Sequence, residues 1–171
     1  MISIRLATVD DCEPLASVHV TASQESYREL LPESTFDRVP ERAEKWRQIL
    51  AQEPAIATYV AEQHGRVIGF ASGGPSRDDL GMEMELHAIY LLAGAKRQGI
   101  GGRLLRTVMV GFLSHGALSA SVWTLRDNWP TRRFYEKFGA QFVTEKLEHR
   151  PGYDLTTVAY IWPDLRRSFS N

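Results

Sequence analysis

The residues with the clearest chemical potential lie in Ala93-Gly-Ala-Lys-Arg-Gln-Gly-Ile-Gly-Gly102, a glycine-rich turn between a β-rich run and a stretch of helical periodicity. A helix N-terminus presents unpaired N–H groups and a partial positive charge, and glycines let an anion approach that backbone closely. The turn therefore reads as a phosphate site, with a plain structural turn as the competing reading. It does not fit the dinucleotide fingerprint: Gly99 and Gly101 have the first spacing, but Leu104 stands where the third glycine belongs. Nor does it fit a Walker loop, because Arg103 and Leu104 follow Gly102 instead of Lys and Ser or Thr. Just upstream, Glu83, Glu85 and His87 alternate along the chain. Strand parity would set them in one polar stripe, where a carboxylate can accept a proton. His19, His64, His115 and His149 are scattered and show no metal-ligand spacing with the single cysteine, Cys12. No metal is expected, and Cys12 reads as packing.

These residues need elements to position them. Ile2, Ile4 and Leu6 alternate with polar residues as in a short strand, and Leu15, Val18 and His19 begin a helical stripe. The stripe should break near Leu31-Pro32, with a second helix from about Glu41 to Ala51. Ile56 to Ala61 and Val67 to Ala71 read as a hairpin turning at His64-Gly65, and Gly73 to Gly81 as a longer turn. Met82 to Leu92 is a central strand, followed by the glycine-rich turn and a helix with a wide apolar face at Leu104, Leu105, Val108, Phe112 and Leu113. Ser119 to Leu125 is a further strand. Asn128 can cap a helix that tolerates Pro130 in its first turn and stops at Gly139. Phe142 to Leu147 and Leu155 to Trp162 close as an antiparallel pair. The order β-α-α-β-β-β-α-β-α-β-β predicts an α/β (α+β) fold with a mixed, mostly antiparallel sheet of about six or seven strands and helices on both faces.

The 171 residues fit a single domain, residues 1–171, with no linker or repeat. Lys plus Arg number 20 against 21 Asp plus Glu, a net charge of -1. That balance gives no global field for nucleic acid and no polybasic anchor for a membrane. The N-terminus lacks the apolar core of a signal peptide, no run approaches a membrane span, and a lone cysteine forms no internal disulfide. A cytoplasmic protein is expected.

Lys96-Arg97-Gln98-Gly99-Ile100-Gly101-Gly102 resembles the pyrophosphate-binding signature of the GNAT N-acetyltransferases, [Q/R]-x-x-G-x-[G/A]. Downstream, Asn128-Trp-Pro-Thr-Arg-Arg-Phe-Tyr-Glu-Lys-Phe-Gly139 is similar to the family's N-x-x-A-x-x-F-Y-E-K-x-G segment. Lys96 departs from the usual Gln or Arg, and Thr131 from the usual Ala. Two separated motifs in the family's order, together with the element order, extend the resemblance over nearly the whole chain.

The resemblance implies acetyl-CoA as cosubstrate, direct transfer of acetyl to a primary amine in a ternary complex, and no metal. The backbone N–H groups of Arg97, Gln98, Gly99, Ile100, Gly101 and Gly102 would hold the pyrophosphate. Ile89, Tyr90 and Leu91 would run beside the pantetheine, with a main-chain N–H polarising the acetyl carbonyl. Asn128 would bond the cofactor near the pantetheine arm, and Tyr135 would protonate the departing thiolate. The amine's proton must go to Glu85, Glu83 or a water relay. The family's alternative carboxylate on the fifth strand is replaced here by Trp123. Tyr27 and Glu85 would line the acceptor site, where an acidic lining suits a cationic amine. A homodimer paired through a sheet edge is a further expectation, and a CoA-binding sensor without turnover is the alternative function.

Overall fold

In the computed structural model, which describes residues 1–52 and 57–170, seven strands form one sheet. The strands are β1 (Ile2–Leu6), β2 (Ala57–Gln63), β3 (Arg66–Pro75), β4 (Met84–Leu91), β5 (Ala120–Leu125), β6 (Gln141–Arg150) and β7 (Tyr153–Trp162). The helices are α1 (Cys12–Tyr27), α2 (Val39–Leu50), α3 (Ile100–Ser114), α4 (Trp129–Lys137) and the short α5 (Leu165–Phe169). The sheet order is β1-β2-β3-β4-β5-β7-β6, and only the central β4–β5 pair is parallel. The expected mixed sheet and element order are both present. Sequence reasoning missed α5, and the start expected for β2, Ile56, lies outside the described residues.

Apolar periodicity decides which helix covers which face. Leu104, Leu105, Val108 and Phe112 recur at helical spacing on α3 and pack with Ala71, Leu86 and Val122 of the sheet. On the opposite face Leu15 and Val18 of α1 and Trp46 of α2 enclose Val60 and Phe70. Asp11 locks the entry to α1. Its carboxylate accepts both Arg5 guanidinium nitrogens at 2.7 and 2.9 Å and the Thr8 N–H at 2.8 Å.

Two irregularities in β4 open the centre of the sheet. Its pairing with β5 lasts only from Met84↔Ala120 to Leu86↔Val122. Beyond that, β4 stays with β3 as far as Leu91, and β5 stays with β7 as far as Leu125. The two halves of the sheet thus diverge as a wedge. A bulge also falls at His87, because Ser72 pairs with Ala88 while the next residue, Gly73, pairs with Leu86. The extra residue reverses side-chain parity. Met84 and Leu86 join the α3-side core with Ile89 and Leu91, whereas Ala88 and Tyr90 join the α1 side.

Candidate active site

The glycine-rich turn closes one side of the wedge with its donors free. Arg97 (φ 62°) and Gly99 (φ 77°) adopt left-handed conformations that curl the chain into the first turn of α3. The first α3 bond is donated by Arg103 N–H to the Gly99 carbonyl at 3.1 Å. The N–H groups of residues 97 to 102 have no protein acceptor among the described residues, as the geometry of a helix start dictates. Gln98 Nε2 steadies the loop by donating to the Gly94 carbonyl at 2.8 Å. Gly102 carries no side chain because a Cβ there would stand 2.6 Å from the Phe138 ring of α4. Six convergent donors at the positive end of a helix fit a pyrophosphate.

Along the wedge, Ile89, Tyr90 and Leu91 pair with Ala71, Phe70 and Gly69 on one side only. Leu92 N–H donates to Ile68 O on the β3 side. Strand alternation therefore turns the Leu91 and Ile89 N–H groups toward the wedge. An extended amide-bearing arm can add there as a further strand would.

On α4, Tyr135 is buried against Tyr160 and Trp162, with Phe134 beside it. Burial, reinforced by the neighbouring Tyr27 phenol, pushes its pKa well above that of an ordinary tyrosine. It therefore stays a neutral O–H donor. Asn128 caps α4 by accepting from Thr131 N–H at 3.4 Å, and its Nδ2 donates to Tyr27 Oη at 3.3 Å. Tyr27 meets Tyr90 edge-on at 6.3 Å, and burial raises the Tyr90 phenol as well. Tyr27, Tyr90 and the α4 pair Asn128 and Tyr135, which come from three separate stretches of the sequence, thus lie near one another.

The two strand glutamates lie elsewhere. Glu83 precedes β4, and its carboxylate accepts the backbone N–H groups of Leu118 (2.6 Å) and Ser119 (3.2 Å). Glu85 is buried in a bidentate pair with Arg77, at 2.7 and 3.1 Å, and also accepts Arg77 N–H at 3.0 Å. His87 is the bulge residue, with its ring 3.4 Å from the Pro75 carbonyl; burial and Arg77 lower its pKa. His87 stays beside the Arg77–Glu85 pair, whereas the Glu83 carboxylate turns to the 118–119 backbone.

Beside the wedge, on the α1 face, is a cavity of about 290 Å³. Tyr27 and Tyr90 line it together with Trp123, Thr124 and Thr157, the His19 ring, and Asp37 and Arg42. Neither Glu83 nor Glu85 is among its lining residues. Sequence reasoning missed Asp37, Arg42, Thr124 and Thr157. None has a motif, and only the fold carries them to one place.

A family model, Acetyltransferase (GNAT) family, matches residues 21–140, and this span includes the glycine-rich turn, Asn128 and Tyr135. The chain belongs to the GNAT acetyltransferase family. The GNAT chain is also 34% identical over 168 residues to the uncharacterized N-acetyltransferase YuaI of Bacillus subtilis (strain 168), covering 96% of this chain and 95% of that one. Its fold is shared with the PaiA N-acetyltransferase from Thermoplasma acidophilum solved in complex with coenzyme A (TM-score 0.73, 22% identity, 92% and 98% coverage). It is shared too with yncA from Salmonella typhimurium, solved with its cofactor acetyl-CoA (TM-score 0.74, 19% identity, 96% and 94% coverage). Among the described residues of this GNAT chain, no helix is long and apolar enough to cross a membrane, and no cluster of three His, Cys, Asp or Glu is placed to hold a metal.

Proposed function

We propose that the protein transfers acetyl from acetyl-CoA to a primary amine by direct attack within a ternary complex. The observation that carries this reading is the open wedge between β4 and β5, flanked by the free N–H groups of residues 97 to 102 and opening beside a separate cavity. Two sites meeting at one point let a donor and an acceptor be held together, so the reaction becomes effectively unimolecular. Acetyl-CoA, when bound, supplies an acyl group activated as a thioester.

The chain's own residues do the rest. The N–H groups of Arg97, Gln98, Gly99, Ile100, Gly101 and Gly102 anchor the pyrophosphate. Ile89, Tyr90 and Leu91 align the arm, and a wedge-facing N–H, from Ile89 or Leu91, donates to the acetyl oxygen as charge builds there, an effect of about 3 kcal/mol in comparable sites. Asn128 would bond the cosubstrate near the same arm. As the carbon–nitrogen bond forms and the carbon–sulfur bond breaks, Tyr135 donates its phenolic proton to the departing sulfur and is reprotonated from solvent. The amine's proton leaves through water. Glu85 is held by Arg77 and Glu83 by backbone N–H groups, while burial lowers the pKa of His19, the cavity's imidazole, to about 3, too acidic to keep a proton at neutral pH.

Initial-velocity kinetics with acetyl-CoA and an accepted amine test this reading. Intersecting double-reciprocal lines and one acetylamide per CoA released are expected. Parallel lines, signalling a covalent acetyl-enzyme, would overturn direct transfer, and tight CoA binding without turnover on a broad amine panel would favour a sensor.

A further inference from the structure

The last turn of α1 bonds to the chain just beyond both of the strands that diverge. β4 ends at Leu91 and β5 at Leu125. Two residues past β4, the Ala93 N–H donates to Glu25 Oε2 at 2.9 Å, a contact across 68 positions of sequence. Past β5, the Asn128 N–H is tied to the Leu125 carbonyl at 3.1 Å, and its Nδ2 donates to Tyr27 Oη at 3.3 Å. Glu25 and Tyr27 stand two apart on α1, and residues so spaced do not share a helix face. One turn can therefore hold both strand ends.

What Glu25 holds is the base of the glycine-rich turn. Ala93 opens the single helical turn Ala93–Ala95, and a leading N–H has no partner within its own turn. A carboxylate from a distant helix satisfies it with a charge-assisted bond. The restraint then passes on through short links. Lys96 N–H donates to the Ala93 carbonyl at 3.2 Å, and Gln98 Nε2 donates to the Gly94 carbonyl at 2.8 Å. Arg97 and Gly99, whose left-handed backbones curl the donor turn, lie beside these two anchors. The turn that carries the free N–H groups of residues 97 to 102 is thus braced, through Ala93 and Gly94, against α1. That helix is a firm support, because Leu15, Ala16, Val18 and Ala22 are buried.

We propose that Glu25 is a positioning residue for the cosubstrate: it holds the base of the glycine-rich turn while Tyr27 holds the α4 cap, so the last turn of α1 clasps the open end of the wedge. This role rests on the acetyl-CoA reading for its ligand, though not on transfer. Losing either hold frees one strand end, and CoA must then supply the missing order as it binds, which weakens affinity. Once one end is free, releasing the other removes little more.

Isothermal titration with CoA tests this on wild type, Glu25→Ala, Glu25→Gln, Tyr27→Phe and the double variant of Glu25→Ala with Tyr27→Phe. Hydrogen exchange of the Ala93 amide, read by NMR in the unliganded protein, runs beside it. Glu25 is exposed, so its variants should fold and melt as wild type does. Glu25→Ala is expected to bind CoA about threefold to tenfold more weakly and to exchange the Ala93 amide faster by a similar factor. Glu25→Gln keeps an acceptor oxygen and should stay within about twofold of wild type in both. A clasp predicts that the double variant is weaker than the worse single variant by less than about twofold, whereas independent contacts would multiply their losses. Multiplied losses would overturn the proposal, as would an Ala93 amide that exchanges equally in wild type and Glu25→Ala. CoA bound equally tightly by wild type and Glu25→Ala overturns the positioning role alone, whereas a wild type that binds no CoA removes the acetyl-CoA reading and this role with it.

Discussion

Asn128 Nδ2 donates to Tyr27 Oη at 3.3 Å, and this bond joins the helix expected to hold the cofactor to the helix that walls the cavity. The same Asn128 caps α4, the helix that carries Tyr135. Tyr27→Phe keeps the ring against Tyr90 and removes only the phenolic oxygen. A net hydrogen bond of about 0.5–1.5 kcal/mol predicts a threefold to tenfold loss in kcat/KM for the amine, with the melting temperature within a few degrees of wild type. Steady-state kinetics beside a thermal melt check this.

Gly99 sits at φ 77°, and a Cβ there would meet nothing within 4 Å. Gly99→Ala is therefore strained by backbone conformation alone, by roughly 1–2 kcal/mol. Relief of that strain must move the N–H groups of the turn. Weaker CoA binding by about tenfold is expected in isothermal titration, with only a small fall in melting temperature. Unchanged affinity would show that the turn does not need its left-handed residue to bind.

Glu85→Gln separates a structural carboxylate from a catalytic one. Glu85 is buried and Arg77 largely exposed, so the loss of the pair should cost about 1–2 kcal/mol of stability, less than for a pair in which both partners are buried. With water as the proton's exit, kcat in Glu85→Gln and Glu83→Gln stays within about threefold of wild type, and the rising limb of the pH profile keeps its position. A loss of about a hundredfold in either variant, with the rising limb abolished, would restore that glutamate as the base.

Asp11 has a pKa held below the usual carboxylate range, first by its hydrogen bonds from Arg5, against the opposing effect of burial. A folded pKa below the unfolded value means that the stabilisation is present above the unfolded pKa of about 3.9 and is lost as pH falls through the folded one. Asp11→Asn should be less stable than wild type by about 1–3 kcal/mol at pH 7, with the difference shrinking below about pH 4. Urea melts across that range measure it.

The architecture was legible because its signals are local. Apolar alternation marked the strands, Leu104 to Phe112 marked α3, and the Gly99 and Asn128 segments carried enough spacing to be matched as motifs. The features that escaped sequence reasoning depend on contacts distant in the chain. The His87 bulge is visible only in the register of β3 against β4, and it reverses the facing of the residues after it, so that Tyr90 meets the α1 side and Ile89 and Leu91 the α3 side. The glutamates' partners, Arg77 on the loop before β4 and Leu118–Ser119 before β5, are likewise set by tertiary packing. Arg42 lay within a helix read correctly but carried no sign of its exposure to a cavity, because α2 read alone resembles any amphipathic surface helix.

The most direct test of acetyl transfer assisted by Tyr135 is thiol release from acetyl-CoA with an accepted amine, measured in wild type and Tyr135→Phe from pH 6 to 10. Burial pushes the Tyr135 phenol above the ordinary tyrosine value, so wild type should show no falling limb from this group below pH 10. Tyr135→Phe, which removes only the phenolic oxygen, should lose on the order of a hundredfold or more in kcat while binding CoA and melting as wild type does. Full activity in Tyr135→Phe, or no thiol release from wild type with any amine, would contradict it.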